Sequence, residues 1–488
     1  MKYAGILIAA VFSFICTAEL APVKIEGNKL IANGRELRLR GINWGWWHLE
    51  GTVYTEQDMK RQAEWGANML RLAFSYTDIA DSDGSWNESK CEKIDEVVRW
   101  AAKYKQYVIL DMHAVPGGQN IARYIDGGYN RIWISKEHQE KYFALWRKLA
   151  ERYRRNPVVA AYELMNEPGT EGRPQLLAEL NKRTVSEIRK IDPDKVIVVG
   201  GDVWNSPGNM TDMVKLDTGN ILYTIHFYEG DFPHKIWKGN VEKTDKALMG
   251  SADWQRFELD FEIPDDVTGY SILLRSNENM GTAWFDDVTV TDASGKLVES
   301  YSFGKTPDPF EFRRDKFGKA AYDPTTGHNA PGSLRIWATT AYNGWESRPK
   351  SIRPGKYRVS GWIKLENATG KNFIAVALLA SQLLDKSELH AALLPAVKFS
   401  KKYNVPIWVG EFSVARNVGP EGYQARAIAD RISLFEENGF HWTYWNYLET
   451  TSPDSMALQA QKREGGVHPI NEPLLEVLKE GWQLNSQE

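Results

Sequence analysis

Cysteine is nearly absent from this chain, which carries only Cys16 and Cys91. With Cys16 inside an N-terminal leader, one thiol remains in the mature chain, so an intramolecular disulfide is excluded and stability must come from packing. An excess of one charge is also missing: the formal net charge is -4, with acidic and basic residues scattered rather than blocked. This leaves no electrostatic footprint for nucleic acid or for an anionic lipid surface, and neither is expected as a partner. Beyond the run from Ala4 to Ile15 there is no long apolar stretch, and that run is too short to cross a bilayer as a helix, so no membrane span is expected. Internal repeats and low-complexity linkers are lacking as well.

A single Lys ahead of the apolar run, and small residues near Ala18, form the pattern of a signal peptide over residues 1–18. Secretion, to the periplasm or the medium, is the corresponding expectation. Aromatics are abundant in the sequence, with 19 Trp and 21 Tyr. Flat aromatic faces are what sugar rings pack against through their C–H groups, although ordinary core packing accounts for many of them. At 488 residues, 42% hydrophobic, the chain can bury one large core and a smaller second one.

From Leu37 onward, short β-rich runs alternate with amphipathic stretches, the pattern of βα units around a parallel sheet. Eight strands are expected: Leu37 to Asn43, Met69 to Phe74, Val108 to His113, Ala160 to Asn166, Val196 to Gly200, Ile221 to His226, Ile407 to Glu411 and His441 to Trp445. The fold class is therefore α/β, a (β/α)8 TIM barrel. The gap between the sixth and seventh strands is far longer than one βα connection requires, and within it the helical period gives way to strand-like segments with turn residues between them. Arg256 to Ile263, Ser271 to Arg275, Ala283 to Thr291, Ser333 to Trp337 and Lys356 to Leu365 read as a β-sandwich inserted between strand 6 and strand 7. The expected organisation is a leader at 1–18, barrel at 19–235, insert at 236–384 and barrel again at 385–488.

Barrels of this kind build their sites at the carboxyl ends of the strands. Strand four runs into Asn166-Glu167-Pro168 and strand seven into Gly410-Glu411-Phe412, which sets two carboxyls facing each other across the mouth. Cleaving a glycosidic bond needs such a pair, one acid to protonate the leaving oxygen and one carboxylate to attack or to activate water. The carboxyl with a cationic neighbour stays ionised, and Arg71 on strand two is the obvious cation. A structural salt bridge is the alternative for Arg71, and core packing the alternative for His113, His226 and Trp445.

The ordered set of Arg71, Asp111-Met112-His113, Asn166-Glu167-Pro168, His226-Phe227-Tyr228, Gly410-Glu411-Phe412 and Trp445 resembles glycoside hydrolase family 5, a family of retaining barrel hydrolases that includes cellulases. The resemblance implies Glu167 as acid/base and Glu411 as nucleophile. It also implies that Asn166 bonds the 2-hydroxyl of the sugar, that Arg71 and Tyr228 orient Glu411, that His113 and His226 line the subsite, and that Trp445 is its stacking floor. No cofactor is implied. A metal held by His113, His226 and Asp111 is disfavoured, because no second histidine stands two residues away on the same strand face. The cluster Trp44-Gly45-Trp46-Trp47 and the loop from Ala114 to Asn120 are expected to wall the cleft.

Within the insert, the stretch from Gly281 to Val290 looks like the last strand of a jelly-roll carbohydrate-binding module. The stretches from Pro331 to Ile336 and from Pro354 to Trp362 look like earlier strands, which suggests circular permutation. Trp337, Trp345 and Trp362 either stack on a glycan or fill the sandwich core. The expected function is a retaining β-glycoside hydrolase, a monomer acting on a polysaccharide or oligosaccharide, with β-1,4-glucan as the first substrate. A β-1,3- or mixed-linkage glucanase, an exo-β-glucosidase, a β-mannanase and a non-catalytic carbohydrate-binding protein stay open.

Overall fold

The computed structural model describes residues 20–45, 53–120, 130–230, 235–307, 309–313, 319–337, 344–381, 383–416, 422–449, 456–460 and 467–486. The expected leader, and Trp46 and Trp47 of the cleft wall, lie outside the described residues.

Eight parallel strands close a barrel: Arg40–Trp44, Met69–Ser75, Tyr107–Ala114, Val159–Glu163, Val196–Gly200, Ile221–His226, Ile407–Glu411 and His441–Tyr444, here called strands one to eight. Every residue of these strands is buried. Such burial is why they read as continuous apolar runs rather than alternating ones: helices cover one face and the barrel interior fills the other. The helix Glu88–Lys103 illustrates the outer layer. Asn87 caps it by accepting the Lys90 N–H, and Cys91, Ile94, Val97, Val98 and Ala101 form its buried stripe. Burial raises the Cys91 thiol to about 12, which makes it a packing residue rather than a nucleophile.

The first expected strand, from Leu37 to Asn43, is divided in the structure. Arg35–Leu37 belongs to a three-stranded antiparallel sheet with Val23–Glu26 and Lys29–Ala32, and the barrel begins at Arg40. Asn33 and Gly34, both at positive φ (51° and 73°), turn the second hairpin of that sheet. Val23 and Leu30 pack into one cluster with Met69, Ile109, Val198 and Trp408 of the barrel interior. This sheet therefore seals the barrel's amino-terminal end, opposite the strand ends that carry the polar residues.

The chain divides into two compact units, one holding the barrel and the other taking in Tyr228–Asp385 with Val414–Ala427. The second unit is built of antiparallel strands around a 27-residue strand, Gly355–Ser381. The amino-terminal half of that strand pairs with Leu248–Ile263 on one side and Thr282–Asp292 on the other, while its carboxyl-terminal half pairs with Lys235–Val241 and Gly269–Asn277. Between the halves, Asn367 takes a positive φ of 50°. The halves then face each other across one core: a Cβ on Gly361 would meet Ile374 Cδ1 at 2.7 Å, and a single buried cluster runs from Phe257 and Phe285 to Ile272 and Phe373. Among the described residues no helix is long and apolar enough to cross a membrane.

Candidate active site

Arg71 organises the carboxyl end of the barrel. It is the third residue of strand two rather than its last, and it is wholly buried. Its Nε and Nη2 donate to Glu163 at 2.6 and 3.0 Å, and Nη1 donates to Glu411 Oε1 at 2.5 Å and to Asn43 Oδ1 at 3.1 Å. Nη2 also reaches Asn166 Oδ1 at 3.0 Å and Asp111 Oδ2 at 2.9 Å. Burial alone would discharge the guanidinium, but Asp111, Glu163 and Glu411 reverse that and hold it well above its ordinary value. Glu163 shares the same buried ground. Burial pushes its carboxyl up to about 8, against the pull of Arg71 and with help from Asp111 and Glu411. One cation thus serves three carboxyls, and the surplus negative charge favours a proton somewhere among the acids of the site.

Strand four ends at Glu163, three residues earlier than the sequence suggests, so Asn166 and Glu167 stand on the loop that follows it. Its last pairings are Glu163 with Asp111 and with Val198. Glu167 then takes a positive φ of 42°, which costs a non-glycine residue about 1–2 kcal/mol. Asn120 Nδ2 holds this turn by donating to the Glu167 carbonyl at 2.8 Å. Asn166 is fixed from both ends, its Oδ1 accepting from Arg71 and its Nδ2 donating to His113 Nε2 at 3.1 Å. His113 in turn gives its Nδ1–H to Asp111 at 2.7 Å, which sets the tautomer of the ring.

Glu167 and Glu411 meet at His226, the last residue of strand six. His226 Nδ1 lies 2.8 Å from Glu167 Oε1 and 3.5 Å from Glu411 Oε2, and its Nε2 accepts from Asn205 Nδ2 at 3.4 Å. Burial lowers the imidazole to about 4, against the pull of Glu411, so the ring is neutral at pH 7 and donates from Nδ1. Burial raises Glu167 to about 7, with His113 and Arg71 pulling it down and Asp111 adding to the rise. The Glu167 side chain is 15% exposed and that of Glu411 5%. One carboxyl thus sits close to its point of half-protonation within reach of solvent, and the other is pinned to a guanidinium.

Trp445 follows strand eight and stacks on His113, with centroids 5.4 Å apart and rings 14° from parallel. At the outer edge of its six-membered ring the backbone of Gly45 runs so close that a Cβ there would come within 2.4 Å of the indole. Gln119 ties the strand-three loop to this wall by donating to the carbonyls of His113 and Asn166. Tyr228 lies two residues beyond His226, half-buried. The structure therefore gathers Arg71, His113, Asn166, Glu167, His226, Glu411 and Trp445 at one end of the barrel. It adds Glu163, Asn43 and Asn205, which sequence reasoning missed. Glu163 and Asn43 lie within apolar strands, and only the register across the barrel brings them to Arg71. Asn205 arrives from the loop after strand five.

Oxygens of Glu167 and Glu411 and a ring nitrogen of His226 all lie within 4.8 Å of one another, close enough to surround a cation. Asp111 and His113, the other members of the metal reading, are engaged with each other and with Arg71 and Asn166.

Residues 30–259 match the model for cellulase, glycosyl hydrolase family 5. Endoglucanase C of Acetivibrio thermocellus is 32% identical over 206 residues, covering 39% of this chain and 58% of that protein. Cellodextrinase A of Ruminococcus flavefaciens is 28% identical over 200 residues, with the same two shares. The chain thus spans 58% of the length of these curated relatives. Among solved structures, Thermotoga maritima Cel5A in complex with cellobiose superposes with a TM-score of 0.50 at 17% identity, covering 90% of this chain and 97% of that one. The cellulose synthase subunit Z of Clostridioides difficile gives 0.50 at 16%, covering 91% and 99%. At such identities these structures speak for the fold, and they agree with the closed eight-stranded barrel. The family match over residues 30–259 and the endoglucanase relatives support a glycosyl hydrolase family 5, cellulase-like protein, and the closed barrel is the fold that such a match leads one to expect.

Proposed function

We propose that the protein is a retaining β-glycoside hydrolase acting on a β-1,4-linked glucan, with Glu167 as acid/base and Glu411 as nucleophile. The observation that carries this reading is the spacing of the two carboxyls, whose oxygens approach within 4.8 Å of each other around His226. Retaining enzymes hold their carboxyls about 5–5.5 Å apart, whereas inverting enzymes leave about 6.5–9.5 Å for a water. The endoglucanase and cellodextrinase relatives favour β-1,4-glucan among the possible substrates.

In the first step Glu411 attacks the anomeric carbon while the bond to the leaving oxygen breaks. That oxygen takes the proton of Glu167, and a glycosyl ester on Glu411 results. Arg71 aims Glu411, since its Nη1 bond fixes one carboxylate oxygen while the other turns toward His226 and the substrate. In the second step water gives a proton to the Glu167 carboxylate and attacks the same carbon, releasing Glu411. Two inversions restore the β configuration. Neutral His226, donating from Nδ1, holds Glu167 without adding a positive charge that would strip its proton too early. Asn166 Nδ2 has a second N–H for the 2-hydroxyl of the sugar, and Trp445 offers its ring as the stacking floor.

Export through the 1–18 leader belongs to the same reading, and a soluble polymer substrate outside the cell suits it. The second unit is read as a jelly-roll, carbohydrate-binding-like module in circularly permuted order, supported by the long strand that serves both halves of its core. The test is reducing-sugar release by the purified protein on β-1,4-glucan, mixed-linkage glucan, β-1,3-glucan and mannan, with Glu411→Gln alongside. Cleavage of β-1,4-glucan by the parent and silence of the variant are expected. Full activity in the variant, or preference for another polymer, overturns the assignment of nucleophile or substrate.

A further inference from the structure

Four tryptophans of the second unit stand apart from its core. The buried cluster takes in Trp345, but none of Trp254, Trp284, Trp337 and Trp362 belongs to it or packs against it. Strand alternation gives the reason. Phe285, Ile336 and Ile363 point inward, so even-numbered Trp284 and Trp362 and odd-numbered Trp337 lie on the opposite face, and Trp254, beside a register break in its own strand, joins them through its contact with His328. The strands that carry them are neighbours in the order Leu248–Ile263, the first half of Gly355–Ser381, Thr282–Asp292 and Ser333–Trp337. Three strand spacings make this an aromatic face about 14 Å across. Trp254, Trp337 and Trp362 are partly exposed.

The polar groups among these rings are arranged. A β-bulge breaks the register between Asp286 and Thr289, and Asp287 there takes a φ of 47°, which turns its carboxylate toward the loop at His328. Asp287 accepts from His328 Nδ1 at 2.9 Å and from Asn329 Nδ2 at 2.6 Å. His328 lies flat on Trp362, with centroids 3.9 Å apart, and Trp254 closes edge-on from the side. Other polar groups on this face are also engaged: Asp323 accepts from Trp284 Nε1 at 2.9 Å, Arg335 lies 4.4 Å over the Trp337 ring, and Lys364 pairs with Asp253 at 3.4 Å.

We infer that this face is a second carbohydrate site, separate from the barrel carboxyls, which binds a neutral glycan chain without cutting it. The partly exposed indoles of Trp254, Trp337 and Trp362 receive the C–H faces of the sugars on the sides that His328 and Arg335 do not take, and the side chains of Asp287, Asn329 and Asp323 receive hydroxyls. A width of several strands suits an oligosaccharide stretch rather than one ring. The inference deepens the reading of the second unit as carbohydrate-binding-like, and it rests on the β-glucanase reading for the choice of probe.

The experiment is affinity electrophoresis of the full chain carrying Glu411→Gln, so that the polymer is not consumed, in gels containing hydroxyethylcellulose, mixed-linkage β-glucan or glucomannan. Trp254→Ala together with Trp362→Ala is expected to weaken retention about tenfold or more, equivalent to about 1.4 kcal/mol. With Glu411 intact, the same double variant is expected to leave hydrolysis of a short aryl cellobioside unchanged. Should the double variant melt early, Trp337→Ala, on another strand, carries the same comparison. Unchanged retention in the well-folded variant, or no retention of the parent in any gel, overturns the second site. Failure of the parent to cleave the aryl cellobioside instead counts against the barrel reading and leaves the retention result to stand by itself.

Discussion

Arg71 Nη1 donates to Glu411 Oε1 at 2.5 Å while the rest of the same guanidinium holds Glu163, Asp111 and Asn166. Removing that cation leaves three carboxyls in the barrel mouth without a counter-charge. Arg71→Met is therefore expected to cost about 3–5 kcal/mol of stability and to abolish turnover. Arg71→Lys keeps a charge but cannot bond Glu163 at two points while reaching Glu411, and a loss of kcat of about 100-fold or more is expected. Thermal melts and steady-state kinetics check both. Near-normal kcat in Arg71→Lys would mean that orientation of Glu411 does not depend on the fork.

The position of Glu167 near pH 7 sets the alkaline side of the rate profile. A general acid must hold its proton, so kcat/KM is expected to fall about tenfold per unit as pH rises above about 7. A pH profile on a substrate with a good leaving group, which needs little protonation, should lose much of this limb. A limb of the same steepness on both substrates speaks against Glu167 as the acid.

The same group links pH to stability. Its ordinary value is 4.5 and its folded value about 7, so the folded state binds the proton more tightly. The stabilisation is complete below about pH 4.5 and is lost as pH rises through 7. Glu167→Gln, which has no proton to lose, is expected to be more stable than the parent at pH 8 by on the order of 2 kcal/mol, with the gap closing toward pH 4. Denaturant melts at the two pH values measure it, and an equal gap at both contradicts the burial of this carboxyl. His226 acts in the opposite sense. Its folded value is depressed to about 4, so its contribution is present above about 6.5 and lost as pH falls through 4. Nitrogen-15 NMR at pH 5.5 should therefore find it neutral with the proton on Nδ1, and an imidazolium at that pH contradicts the assignment.

Gly45 and Trp445 give a steric prediction. A methyl on Gly45 would meet the indole at 2.4 Å, so Gly45→Ala must shift Trp445 from its present place beside His113. A rise in KM for oligosaccharides and a destabilisation of about 1–3 kcal/mol are expected, with the pH profile unchanged. Unchanged KM would show that Trp445 takes no part in binding sugar.

Much of the barrel was legible because its strands are short apolar runs that end in polar residues, and a parallel strand buried on both faces has that signature wherever it occurs. Glu163 escaped notice for a related reason. In the sequence it is a lone acid at the end of Val159–Glu163, and only pairing with Asp111 across the barrel puts it beside Arg71. The left-handed turn at Glu167, beyond the early end of strand four, likewise has no glycine to announce it. In the second unit the ambiguity of Trp337, Trp345 and Trp362 could not be lifted from spacing, because inward and outward positions differ by one residue and a bulge such as that at Asp287 resets the count. Their partition into one core residue and two on the outer face is a product of register.

The most direct measurement is mass spectrometry of peptides from the protein inactivated with a 2-deoxy-2-fluoro-β-cellobioside bearing a good leaving group. A fluorocellobiosyl ester on the peptide containing Glu411, absent in Glu411→Gln, is the predicted result. An adduct on another residue, or turnover without any adduct and with the α-anomer as first product, would contradict a retaining mechanism through Glu411.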